Sequence, residues 1–146
     1  MELKVKIDPA LDAVTVTVSA PAETPEVREL LALLTPWQPI PGWREGKMVK
    51  PLLDPREVLC FFAREKEVFA LTPEGEYLVK LRLYELEETL DPKRFVRTSQ
   101  SELVNLRKVA ALDLSLTGTI KMTLAGGHVC WVSRRNVKNI KKALGL

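Results

Sequence analysis

From Lys47 to Val132 the chain runs as a succession of short apolar segments, most of them closed by a charged, glycine or proline turn. That beat constrains the fold more than any other feature. Val58 to Ala63 (VLCFFA) ends at Arg64-Glu65-Lys66, Glu67 to Leu71 ends at Pro73 to Gly75, and Glu76 to Lys80 follows. Lys47 to Leu52 precedes them, and Val109 to Leu116 with Thr119 to Leu124 reads as a hairpin around Thr117-Gly118. Gly126-Gly127 then turns the chain into His128 to Val132. Apolar runs of roughly four to eight residues bounded by turn residues are strands, and closely spaced strands pair antiparallel. Two segments break the period. In Leu81 to Leu90, Leu83, Leu86 and Leu90 recur at helical spacing, and in Asn136 to Leu144, Val137, Ile140 and Leu144 share one side. The expected class is therefore mainly β: antiparallel sheets with short helices.

A different pattern precedes this body. Leu3 to Ile7 (LKVKI) and Val14 to Ser19 (VTVTVS) alternate with period two, as half-buried strands do. Thr24 is placed to cap a helix with Pro25 at its first position, and Val27, Leu30, Leu31 and Leu34 form one apolar stripe up to Pro36. Residues 1–46 are thus expected as a small β-β-α segment, and residues 47–146 as the main domain. Residues 35–46, rich in proline and glycine, read as a connection or a hairpin approach in which Trp37 and Trp43 anchor by packing.

Several function classes are excluded. The longest apolar runs, such as Leu30 to Leu34, fall far short of the ~20 residues a membrane span needs. MELKVKIDPA has neither the apolar core nor the cleavage site of a signal peptide, so a cytoplasmic protein is expected. Cys60 and Cys130 lack metal-ligand spacing and read as free buried thiols. The single histidine, His128, has no Cys or Asp cluster near it in sequence, and Gly126-Gly127 is not followed by the Lys-Ser/Thr of a phosphate loop. Glu85, Glu87 and Glu88 are the solvated face of a helix. No catalytic group, metal site or cofactor is expected.

Charge points elsewhere. Residues 93–146 carry 11 basic side chains against Glu102 and Asp113, a net of +9. Residues 1–50 carry 6 basic and 7 acidic groups, a net of −1. A basic domain on a near-neutral body suits a polyanion, because each phosphate contact releases condensed counterions. Two polar clusters lie within the basic third, Phe95 to Leu106 (FVRTSQSELVNL) and Val132 to Lys142 (VSRRNVKNIKK). Arg, Asn and Gln can pair bidentately with base edges in the major groove, while Ser, Lys and backbone amides suit phosphates. The same residues are also ordinary turn and cap chemistry, with Ser133 or Asn136 capping the last helix, and spacing alone does not separate the two readings.

From about Leu52 to Leu144 the order of motifs resembles the LytTR family of DNA-binding domains. Leu90, Pro92, Phe95, Arg97, Ser101, Val104 and Asn105 match one family pattern, and Val132, Ser133, Arg134, Asn136 and Leu144 match its closing one. The resemblance implies antiparallel sheets whose loops, rather than a recognition helix, enter successive major grooves of double-stranded DNA and bend it. By position, the implied contacts are Arg64 and Lys66 in a first loop, Ser99, Gln100 and Ser101 in a second, and Ser133, Arg134, Arg135, Asn136 and Lys138 in a third. Gln100 and Arg135 fall at base-reading positions. Arg97 and Asn105 fall at positions that fix a loop by hydrogen bonds. The first loop departs from related regulators in being doubly basic, and Gln100 stands where some members carry Asn.

The expected function is that of a sequence-specific transcriptional regulator at promoters with paired sites. The alternatives are a nucleic-acid binder without sequence preference and a protein-interaction module. Family members often carry a receiver domain of over 100 residues ahead of the DNA-binding part. Only about 50 residues stand there in this sequence, without an aspartate cluster, so a stand-alone type is expected. Its N-terminal segment would serve a homodimer or dock a partner such as a membrane-bound regulatory protein.

Overall fold

The structure, a computed structural model, describes residues 1–34, 40–114 and 118–146. In chain order these hold helix α1 (Pro25–Leu34), strands β1 (Gly42–Arg44), β2 (Lys47–Lys50), β3 (Cys60–Arg64), β4 (Glu67–Thr72) and β5 (Gly75–Val79), and helix α2 (Leu83–Thr89). Strands β6 (Phe95–Ser99), β7 (Glu102–Asn105), β8 (Val109–Asp113), β9 (Ile120–Leu124) and β10 (Val129–Val132) follow, then helix α3 (Arg134–Leu144). A seven-stranded sheet has the order β2-β1-β5-β4-β3-β7-β6, and a three-stranded sheet the order β10-β9-β8. Every pairing is antiparallel.

The apolar run VLCFFA is continuous because β3 is buried on both faces. Successive strand side chains point to opposite sides of a sheet. Phe61 and Ala63 therefore join Leu83, Leu86 and Leu90 from α2 and its end. Cys60 and Phe62 join Ile120, Met122, Leu124, Cys130 and Val132 of the smaller sheet, together with Val137, Ile140 and Leu144 of α3. The large sheet is thus the middle layer, with α2 on one face and the small sheet and α3 on the other. Phe61, fully buried, contributes about 1.5–3 kcal/mol from its removal from water alone. A one-residue slip of β3 would exchange the two cores, so its register with β4 (Cys60↔Leu71 to Arg64↔Glu67) is strongly specified.

Three departures from the sequence reading stand out. Leu3 to Ile7 and Val14 to Ser19 form no strand, and only α1 of the expected β-β-α segment is present. Alternation specifies a strand only where another strand completes the ladder, and here Leu3, Val5 and Ile7 are 91%, 79% and 85% exposed. Secondly, the polar stretch 95–105 is a hairpin, β6–β7, at the edge of the large sheet. Thirdly, the connection 40–46 enters the sheet: Ile40 is buried, Trp43 pairs with Leu78, and the point between residues 46 and 47 lies in the β1–β2 turn. Trp43 anchors by packing as expected, with the Lys80 Nζ 3.7 Å from its ring centroid. Trp37 and Thr117 lie outside the described residues.

Candidate nucleic-acid interface

Topology brings the three sequence-assigned loops to one end of the large sheet. β3 ends at Arg64 and β7 begins, antiparallel, at Glu102, so the 64–66 turn and the 99–101 turn are neighbours. The Ala63 N–H donates to the Ser101 carbonyl at 2.8 Å and fastens them. The Ser133 N–H donates to the Thr98 carbonyl at 2.7 Å, which brings the start of α3 beside the second loop.

Each loop is held by its own chemistry. In the first, Glu65 and Lys66 have φ of 53° and 68°, the left-handed pair of a two-residue hairpin turn. Neither is glycine, so the turn carries strain that a Gly would relieve. Lys66 projects into solvent. Arg64 is engaged within the fold: its Nη2 donates to Glu76 Oε2 at 3.0 Å, and its guanidinium lies 4.4 Å from the Phe69 ring centroid.

In the second loop Arg97 acts as an internal clamp. Its Nη1 donates to the Gln100 carbonyl at 2.8 Å and the Ser99 carbonyl at 3.3 Å, and its Nε lies 3.6 Å from Glu87 Oε2. Ser99 Oγ accepts from the Ser101 N–H at 3.3 Å. With its backbone carbonyl tied down, Gln100 presents an exposed side chain. Asn105 is fully buried. It donates to the Val58 carbonyl at 2.9 Å and accepts from the Arg107 N–H at 3.1 Å, a structural role.

The third loop is the N-terminus of α3. Ser133 occupies the cap position, yet its hydroxyl makes no capping bond to the helix. It accepts instead from Asn136 Nδ2 at 2.7 Å. The first turn holds Arg134 and Arg135 and no acidic residue. A helix N-terminus already carries about +0.5 elementary charge, so two guanidinium groups there oppose the macrodipole. The combination is unfavourable for the isolated helix and well suited to an incoming phosphate. Arg134 packs over Gly118, where an added Cβ would meet its Nε at 3.3 Å. Arg135 and Lys138 are exposed.

Position also nominates a basic residue that the sequence reading passed over. Val79 pairs with Val68, so Arg82, just beyond β5, leaves the sheet at the same end. Arg82 is exposed, and its only sequence signal is its place after a strand.

A second constellation lies between the two sheets. His128 Nε2 is 3.2 Å from Glu102 Oε1, and the Cys130 thiol donates to the same oxygen at 2.9 Å. The neighbouring Cys60 sulfur, burial and the Glu102 carboxylate together push the Cys130 thiol above the range in which it ionises. The sequence shows no Cys or Asp cluster near His128, and the fold gathers Cys60 and Glu102 beside it. Cys60 and Glu102 are distant in sequence from His128 and Cys130, and β3, β7 and β10 assemble them.

With the fold and loops in view, the family can be assigned. The model of the LytTr DNA-binding domain matches residues 50–145. The chain belongs to the LytTR family. It is similar to Staphylococcus aureus proteins named uncharacterized HTH-type transcriptional regulators. In strain NCTC 8325 / PS 47 the identity is 39% over 95 residues, 65% of this chain and 64% of that protein. In bovine strain RF122 / ET3-1 it is 41% over 90 residues, 62% of this chain and 60% of that protein. The match spans less than two-thirds of these relatives' length. Among solved structures, a LytTr DNA-binding domain from Bacillus cereus is similar with a TM-score of 0.66 and 21% identity, covering 73% of this chain and 95% of that chain.

The LytTR fold is therefore the mainly antiparallel β architecture described above. Although the relatives are named for a helix-turn-helix, no two helices among the described residues are joined by a turn alone. No helix among them is long and apolar enough to cross a membrane.

Proposed function

We propose that this LytTR chain is a transcriptional regulator that reads double-stranded DNA sequence-specifically, placing the three loops in successive major grooves and bending the duplex between them. The observation that carries this reading is the junction of loops 64–66, 99–101 and 133–138 at one sheet end, with the α3 N-terminus left basic and without an acid. Arg134 and the helix N-terminus bind phosphate, while Lys66, Ser99, Ser101, Ser133, Asn136 and Lys138 set register on the backbone. Gln100 and Arg135, projecting past that frame, read base edges, with Gln suited to adenine and Arg to guanine. Arg64 contributes its charge from within its pair with Glu76.

Loops that meet the duplex one helical turn apart favour paired sites. They also favour bending, since contact at both grooves repays the deformation. Residues 1–46 supply the dimerisation segment. Val14 and Val16 are 95% and 66% exposed, like Leu3, Val5 and Ile7, so both alternating stretches offer apolar residues to a second copy, on which they could complete a strand ladder.

The test uses a duplex selected from a random pool by the full chain. Methylation interference at guanine N7 should mark two patches one helical turn apart. Interference confined to the minor groove, or none, would contradict the loop-reading geometry.

A further inference from the structure

The titratable and sulfur-bearing groups behind the loops, which DNA recognition does not use, converge on one point between the sheets. We propose that Cys60, Glu102, His128 and Cys130 form a binding site for a single zinc-class metal ion. One ligand atom each from Cys60, Glu102 and His128 lies within 4.8 Å of the others. Cys130 Sγ reaches the same carboxylate oxygen, 2.9 Å away, and has the Cys60 sulfur as its neighbour. In a tetrahedral zinc site with bonds of roughly 2.0–2.3 Å, ligand atoms stand roughly 3.5 Å apart. Cys60, Glu102 and His128 already stand together on that scale, and Cys130, now on Glu102 Oε1, would turn in as the fourth ligand.

The donor set argues for the class of ion. Two sulfurs, an imidazole and one carboxylate suit a borderline-soft ion of the zinc type and not magnesium or calcium, which take oxygen ligands. Four protein ligands leave no open position, so the ion is structural. Cys60 and Cys130 are buried, whereas the His128 side chain is 38% exposed and that of Glu102 16%, which gives the ion a way in from solvent. Without the ion, the Cys130 thiol keeps its proton and donates a hydrogen bond to Glu102 Oε1. On binding, both thiol protons pass to solvent, and the sulfurs and the carboxylate oxygen turn from each other to the metal.

Placement gives the site a consequence. Cys60 and Glu102 belong to the large sheet, and Cys130 and His128 to the small sheet and the turn before it. Glu102 follows Ser101 directly, and Cys130 stands on the strand that delivers Ser133. An ion here ties the two sheets together behind the second and third loops.

The test is an anaerobic titration of the reduced, metal-free full chain with cobalt(II) as a spectroscopic stand-in for zinc. One equivalent should develop a thiolate-to-cobalt charge-transfer band and the strong visible bands of a tetrahedral site, both bleached by zinc. His128→Ala and Glu102→Gln, at side chains with solvent access, should fold and lose more than about 100-fold in affinity, since even partners behind the ligands cost about 10–100-fold. Zinc, and not magnesium, should raise the wild-type melting temperature. Absence of both bands at one equivalent would overturn the site, as would unchanged affinity in both variants. None of these readouts involves DNA, so a chain that fails to bind DNA and still binds cobalt leaves the metal site standing.

Discussion

Arg135 and Lys138 stand three residues apart on exposed α3 positions and are expected to do different work. A guanidinium offers a planar fork that fits the guanine edge, whereas an ammonium acts as a point charge toward phosphate. Arg135→Ala should cost about 1–3 kcal/mol on the cognate duplex and much less on random DNA. Equal weakening on both would make Arg135 a phosphate contact. Lys138→Ala should weaken cognate and random DNA alike and flatten the logarithmic salt slope by roughly one unit. An unchanged slope would remove Lys138 from the phosphate set. The loops were legible as places in the fold, because Gln, Arg and Ser clustered in a basic third carry a family pattern, and the structure brings those loops to one sheet end. The surroundings of each side chain were not legible. Arg64 reads as a DNA ligand in sequence, but Glu76 and the Phe69 ring, met across β4 and β5, already hold it. The Cys60, Glu102, His128 and Cys130 cluster was illegible, since sheet pairing alone brings together residues as far apart as Cys60 and Cys130.

At the scale of elements, α3 shows a helix whose sequence is a compromise. Val137, Ile140 and Leu144 pack one side against β6 of the large sheet and β10 of the small one, and the C-terminus closes on Gly145 at φ 75°. The N-terminus, by contrast, lacks both an effective cap and an acid. Ser133→Asp would supply both and should raise stability by about 0.5–2 kcal/mol in thermal or urea unfolding. The same carboxylate would repel phosphate, so DNA affinity should fall while stability rises. A variant that gains or keeps both would show that the α3 N-terminus does not face DNA. Where packing dominates, the element pattern was readable: β3 to β5, β8 to β10, α2 and α3 all lie close to their expected places. The β6–β7 hairpin was not. Its Arg97, Thr98 and Ser99 are polar on both faces of an edge strand, which erases the period-two signal. The converse holds for Leu3 to Ile7, whose period is clean and which pairs with no strand among the described residues.

For the whole molecule, that unpartnered segment and the one-sided charge belong together. On the proposed reading the basic third carries the DNA-binding surface, while the near-neutral N-terminal part, whose apolar residues are exposed, would bring two copies to paired sites. The full chain should therefore sediment as a dimer at micromolar concentration, and removal of residues 1–24 should leave a monomer that still binds a single site. A strictly monomeric full chain, with and without DNA, would sink the dimer. Sequence-specific recognition by the three loops is tested most directly by titrating the full chain against a selected duplex and its scrambled counterpart at low and at physiological salt. Preference for the selected duplex that survives the higher salt is the expected result. Equal affinity for both, collapsing together as salt rises, would reduce the loops to a basic surface and contradict base reading by Gln100 and Arg135.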